Sequence, residues 1–423
     1  MTTLAIFAIG ATDAWVAALM AVLLLGCLGV LCVGCSTQRQ ALPWHALLWP
    51  ALAYGALVLS QIGFRWTSYP GASWTGLEQL AGPAAALYLA LFAFRSPRMV
   101  RRLARAAWWV TLVISIEAIF QHFLSPGYIY WLRDATYATP TGPYVYHNHF
   151  AGCMDLLLPL AVAAVFLPER SGRVNPQKRW LLALSPALGL AAVVISRSRG
   201  GMLCLFGEAV LALIVYWLMG RLRWKTVLGG AAALVAVAFI ANWGPIWRRF
   251  LTLQNGDLSS MERWHLMQSC LAIWRTSPWH GSGFNTFAVI YPQYQVMDFG
   301  KTVVHAHNEY VQMLAEMGVF GAVVVAAFVV LLFLGYRRGP AHGTSRLVRR
   351  AALIGVIGFL AHSVIDFQFH NPANALLFFL IAGAVAARVE QDRRVRASSG
   401  TVVRLRRRPL ADNRQEARSA ARH

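Results

Sequence analysis

Predominantly apolar stretches of roughly 17–22 residues recur along the chain, at about 12–35, 42–62, 77–94, 104–124, 150–167, 180–195, 201–219, 226–243, 318–336, 351–369 and 373–389. Nothing else in the sequence restricts the fold as strongly, because a helix of about 20 residues is what crosses a ~30 Å hydrocarbon core. A water-soluble alternative would have to cover a chain that is 57% hydrophobic with only 13% charged residues. The pattern predicts an all-α polytopic membrane protein with about 11–12 transmembrane helices. The two counts differ at residues 1–35, which are long for one crossing and short for two. No Lys or Arg precedes the first apolar stretch, which argues against a cleaved signal peptide.

A net charge of +21 could suggest a nucleic-acid partner, but the placement of the charge points elsewhere. Of the 38 Lys and Arg, 29 lie in every second connection: at Arg39, 95–105, 168–179, 221–225, 337–350 and from 388 onward. The positive-inside rule makes these connections cytoplasmic and turns the others outward. The expected organisation is a single transmembrane helical domain over 1–390, with periplasmic loops at about 125–149 and 244–317. The Arg-rich tail, 391–423, reads as disordered, cytoplasmic and attracted to anionic membrane lipids, with no nucleic acid implied. The six Cys form no disulfide framework.

The second outer loop is long enough to carry structure of its own. Within it, "SSMERWHLMQSCLAIWRTSP" reads as an amphipathic helix lying along the membrane surface. Ser259 and Glu262 match a capping box, and Trp264, Met267, Leu271 and Trp274 share a stripe. Further on, "HNEYVQMLAEM" reads as a helix that starts at His307 and ends at Gly318, leading into the next span. Glu309 and Glu316 read as ordinary polar-face residues of that helix.

Four outward-facing groups combine polar side chains with membrane proximity: "YHNHFAG" at 146–152, "SRSRGG" at 196–201, the helix bearing Arg263, and "HAHNEY" at 305–310. Ionisable groups at membrane depth are costly, which makes each a functional candidate. Arg197 and Arg199 could be interfacial charges on a tight turn, yet two Arg on an outer turn oppose the positive-inside bias. A guanidinium is a fixed fork of donors matched to phosphate oxygens, so anion binding is their functional reading, and Arg263 has the same two readings. The pairs His147/His149 and His305/His307 raise the question of a metal. Positions two apart diverge by about 200° on a helix, and no carboxylate or Cys stands at a zinc spacing, so no metal and no other cofactor is expected. His307 reads instead as a general base, since a neutral imidazole can accept a hydroxyl proton at neutral pH. Arg clusters beside such a base suit displacement of a pyrophosphate leaving group without ATP or metal.

In this order and topology, "TGPYVYHNHFAG", "SRSRGG", "MERWHLMQSCLAIWRTSPWHGSGFN" and "HNEYVQMLAEMGVFG" resemble the O-antigen ligase and polymerase superfamily of bacterial inner-membrane proteins, over about 77–390. The most specific mark is His307-Asn308, nine residues, then Gly318 and Gly321, which is similar to that family's ligase pattern. The resemblance implies a polyprenyl-phosphate glycosyltransferase-like fold of the GT-C type, with a long periplasmic loop containing helices. It implies an inverting, metal-independent transfer of preassembled O-antigen glycan from undecaprenyl pyrophosphate to a sugar hydroxyl of lipid A-core. The setting would be the periplasmic face of a Gram-negative inner membrane, with the C-terminus cytoplasmic. The family's catalytic His falls on His307, its essential loop Arg on Arg263, and its turn Arg on Arg199, with Arg197 competing for the pyrophosphate. Asn308 would support the base, His305 is the alternative base, and His147, Asn148 and His149 match a family motif of unassigned role.

An O-antigen polymerase using the same donor and a protein O-oligosaccharyltransferase are the nearest alternatives. A glycolipid transporter is a rival from another class, but the paired repeats or broken helices of transporters are not visible in the sequence.

Overall fold

The computed structural model describes residues 2–389 except 40, 137, 169–175, 220–257, 299, 301 and 340–342. Its described residues form thirteen α-helices and one two-stranded hairpin. In chain order the helices are α1 Thr2–Phe7, α2 Ala14–Thr37, α3 Leu48–Gly63, α4 Pro70–Ala93, α5 Pro97–Leu124, α6 His147–Val165, α7 Pro176–Ser196, α8 Arg199–Leu218, α9 Leu258–Thr276, α10 Phe287–Ile290, α11 Glu309–Arg337, α12 Thr344–His362 and α13 Pro372–Ala386. The hairpin, β1 Tyr128–Ile129 with β2 Arg133–Asp134, lies between α5 and α6.

Among the described residues, seven helices are long and apolar enough to cross a membrane: α2, α4, α5, α6, α7 from Arg179, α8 and α11. The apolar α3 and α13 are shorter, and α12 carries Arg346, Arg349 and Arg350 in its first turns. This is the polytopic all-α class the apolar runs predict. The expected span at 226–243 and the tail from 391 lie outside the described residues. At the N-terminus α1 has six residues, about 9 Å of helix, so only α2 in that segment is long enough to cross a ~30 Å core.

The bundle is built around α6, which buries fifteen of its nineteen residues and packs against α5, α7, α8, α12 and α13. Small residues let the helices approach, as the absence of a hydrophobic drive between helices in lipid requires. A Cβ on Gly201 of α8 would meet the Ala151 Cβ at 2.3 Å, and one on Gly200 would meet the His362 Nε2 at 3.0 Å. The "GG" of "SRSRGG" therefore lets the start of α8 settle between α6 and the end of α12.

One expected span needs correction. The run at 351–369 is not one span: α12 stops at His362, and Ser363 to Asn371 form a loop with one 3-10 turn before α13. Gly318 does end a helical segment, as the sequence indicates: α11 is two segments that meet at a break there, with φ 61 and ψ −162, and a Cβ on Gly318 would lie 2.4 Å from the Trp279 carbonyl oxygen. The backbone groups released by the break are taken up by the neighbouring loop: Val319 and Phe320 N–H donate to the Pro278 and Trp279 carbonyls (2.9 and 3.1 Å). In return Ser282 and Gly283 N–H donate to the Ala315 and Glu316 carbonyls (2.9 and 3.0 Å). Broken backbone at membrane depth is stable only where protein replaces the lost partners, and here it does.

Candidate active site

The site lies where the start of α6, the start of α8, the start of α11 and the loop after α12 meet. Asn308 caps α11, its side-chain oxygen accepting from Tyr310 and Val311 N–H (3.1 and 3.0 Å). Asn308 is a preferred capping residue for this reason, since its oxygen satisfies donors that the first turn leaves open. His307 therefore stands just outside the helix rather than starting it, and its φ of +51 lies in the left-handed region.

The His307 Nδ1 lies 3.3 Å from the Asp366 Oδ1, with the imidazole 32% exposed and the carboxylate 2% exposed. The edge of the imidazole also meets the Phe367 ring, centroids 4.8 Å apart. Asp366 is the candidate site residue that sequence reasoning missed. Its Oδ1 also accepts from Phe367 N–H (2.8 Å), and its Oδ2 accepts from Asn148 Nδ2. Burial pushes the Asp366 carboxyl up, but the hydrogen bond and charge of His307, with His149 and His362, outweigh it and hold the group well below the usual carboxylate range. An ionised carboxylate only accepts, so His307 Nδ1 is the donor of this pair.

The network continues through Asn148, whose Oδ1 accepts from the Ser198 hydroxyl (2.8 Å). That hydroxyl oxygen in turn accepts from Gly201 N–H (3.1 Å), capping α8. Three of the sequence motifs, "YHNHFAG", "SRSRGG" and "HNEY", are thus joined through one carboxylate that belongs to none of them. Gly152 serves the same assembly: a Cβ there would overlap Gln368, whose Nε2 donates to the Asn148 carbonyl (3.0 Å).

The two candidate turn arginines are placed differently. Arg199 is the first residue of α8 and interacts with its surroundings. Arg197, exposed and with φ +59, lines a cavity of about 370 Å³ together with Gln121, His122, Thr139, His147 and Ser196. His147 shares a hydrogen bond with the Thr139 hydroxyl, and the Arg263 charge reaches it from α9. Arg197 and Arg263 form no side-chain hydrogen bond or ion pair among the described residues.

The other candidates have packing roles. His149 is buried edge-on against Phe367, centroids 4.8 Å apart, and its carbonyl accepts from Asn374 Nδ2 (2.9 Å). His305 is stacked on Phe367 at 4.6 Å and lies against His370 at 4.2 Å. Burial, then His370, push its imidazole well below the ordinary histidine value.

Glu309 and Glu316 are not polar-face residues. Both are buried: Glu309 accepts from His370 Nδ1 (3.1 Å to Oε2), and Glu316 accepts from Asn285 and Phe287 N–H (2.9 and 3.0 Å). α9 is the helix expected there. Its described part begins at Leu258, and its buried residues are Leu266, Ser269, Cys270 and Ile273, while Trp264 is exposed. Its packing partner is α11. Among the described residues no three His, Cys, Asp or Glu converge as a metal-binding group.

Fold and site together define a class: a multi-pass helical membrane protein with a His–Asp pair among Arg-bearing segments. Residues 184–326 match the family model described as O-Antigen ligase, which supports the O-antigen ligase superfamily and a ligase or polymerase type of glycan transfer. The match takes in Arg197, Arg199, Arg263 and the 305–321 segment, while Asn148 and Asp366 lie outside it. No curated protein matches the chain.

Proposed function

We propose that the protein is a metal-independent, inverting O-antigen ligase of the Gram-negative inner membrane, acting at the periplasmic face. The observation that carries this reading is the His307–Asp366 pair, 3.3 Å apart and open on the imidazole side. His307 Nε2 takes the proton of a lipid A-core sugar hydroxyl, with Asp366 steadying the imidazolium that forms. The hydroxyl oxygen bonds to the anomeric carbon of the glycan as the bond from that carbon to the pyrophosphate oxygen breaks. The electron pair leaves with undecaprenyl pyrophosphate, whose growing charge is met by Arg199, Arg263 and Arg197. A single displacement from the opposite face inverts the anomeric centre.

The test uses purified full-length protein in nanodiscs with undecaprenyl-pyrophosphate glycan, lipid A-core and EDTA. Inverted glycan on lipid A-core, lost in His307→Ala, is the expected result. Lengthened glycan still on undecaprenyl pyrophosphate would make the protein a polymerase, and a retained anomeric configuration would rule out the single displacement.

A further inference from the structure

At the opposite end of the bundle a second group of cations gathers around a cavity. α11 separates the two ends by 29 residues, on the order of 40 Å of helix. The cavity is lined by Pro43, Trp44, His45, Tyr88, Arg95 and Arg388, among others. Arg95 follows the end of α4, Arg388 the end of α13, and Arg338 the end of α11. Arg95 and Arg388 line the cavity together with His45. Burial first, then the charges of Arg388, Arg95 and Arg338, push the His45 imidazole below the ordinary value. Its Nδ1 accepts from Leu47 N–H (3.1 Å). Among the described residues, no side-chain hydrogen bond or ion pair engages Arg95, Arg338 or Arg388.

Helix C-termini attract cations, and that accounts for one Arg at each helix end. It does not account for a shared concavity with an aromatic rim. Trp44 meets Trp49 edge-on at 5.1 Å, and the Tyr88 hydroxyl donates to the Pro43 carbonyl (3.1 Å), so the rim is held by contacts independent of the Arg. Aromatic side chains of this kind settle at headgroup level. The chain's own tail is a poor occupant, since 391–423 carries ten Arg against three acidic residues and would be repelled. We propose that this cavity is a binding site for the phosphate of an anionic phospholipid headgroup in the inner leaflet, held by Arg95 and Arg388 under the rim of Trp44 and Tyr88. The side of the membrane follows from the alternation of basic connections along the sequence.

The proposal is tested on purified full-length protein in neutral detergent by native mass spectrometry, titrating phosphatidylglycerol, phosphatidylcholine of the same acyl chains, or inorganic phosphate. Arg95→Gln/Arg388→Gln is compared with Arg102→Gln/Arg105→Gln, which removes the same amount of charge from the first turns of α5. Phosphatidylglycerol is expected to bind the wild type at least ~10-fold tighter than phosphatidylcholine, and the first variant is expected to lose about 10–30-fold while the second loses less than about 2-fold. Equal losses in both would mean diffuse attraction and overturn the site, and inorganic phosphate competing at the lipid's own concentration would overturn the lipid as its source. Should Arg95→Gln/Arg388→Gln unfold, Arg95→Lys/Arg388→Lys keeps the charge and removes the fork. Intermediate lipid selectivity in that variant supports the site, and unchanged selectivity for the lipid overturns the guanidinium contact.

Discussion

Two histidine–carboxylate pairs stand a few residues apart in this molecule and differ chiefly in exposure. His307 and Asp366 meet at 3.3 Å with the imidazole 32% exposed, whereas His362 and Asp155 meet at 2.7 Å with side chains 1% and 0% exposed. The same chemistry serves two ends. The open pair leaves its imidazole about one third exposed. The closed pair joins α12 to α6 at the last residue of α12, and seven residues before Asp155 on α6 stands Asn148, which holds Asp366. Residues seven apart share a helix face, so the buried pair fixes the register on which the open one depends. Between them in exposure lies a third pair, His370 with Glu309, at 20% and 10%.

Substitutions should separate the three. His307→Ala is expected to lower the transfer rate by about 10³-fold, because a positioned base contributes on that scale. Breaking the closed pair with Asp155→Ala is expected to cost about 3–5 kcal/mol of stability, read by chemical unfolding in detergent. The double change Asp155→Leu/His362→Leu should recover most of that loss, since a buried pair replaced by apolar side chains of similar volume is often neutral. Recovery of activity by any apolar double change at 307 and 366 would erase the distinction drawn between the pairs. Asp366→Asn is expected to reduce the rate by about 10²-fold while substrate binding is retained, because the imidazole loses the acceptor that fixes its tautomer.

The smallest effect is one of pH. Burial lowers and Glu309 raises the His370 imidazole, and the net shift is upward. Its stabilising contribution is therefore complete below about pH 6.5, the unfolded value, and is lost as pH rises through the higher folded value. Asp366 behaves in the opposite sense: its depressed carboxyl contributes stability above about pH 4, lost only as pH falls through its lower folded value. Melting temperatures followed from pH 6 to 9 should fall for the wild type and stay flatter for His370→Gln.

Much of this arrangement was legible in the sequence, for identifiable reasons. Apolar length revealed the helices because lipid leaves the backbone few alternatives. Polar groups in apolar surroundings revealed His307, Asn148 and the 196–201 turn. Asp366 stayed hidden because "AHSVIDFQFHNPAN" reads as the end of one apolar run and the start of the next, so its carboxylate passed as an interruption of a span. Three ionisable residues there, His362, Asp366 and His370, were the available signal. α9 was legible as a helix, but it carries two apolar stripes, and that the one with Leu266, Cys270 and Ile273 is buried depends on α11, a partner remote in sequence.

The break at Gly318 bears on how the proposed base, His307, keeps its height. Tilt travels along a helix through its ladder of backbone hydrogen bonds, and in α11 that ladder is handed to the 278–283 loop at a single residue. The segment behind His307 takes its position from the loop and from Gln61 of α3, whose side-chain N–H donates to the Glu316 carbonyl at 2.9 Å. The remainder of α11 is left to follow the bilayer. Transfer rates in bilayers of graded acyl-chain length should accordingly change little, and a steep dependence would show that the two halves still move as one rod.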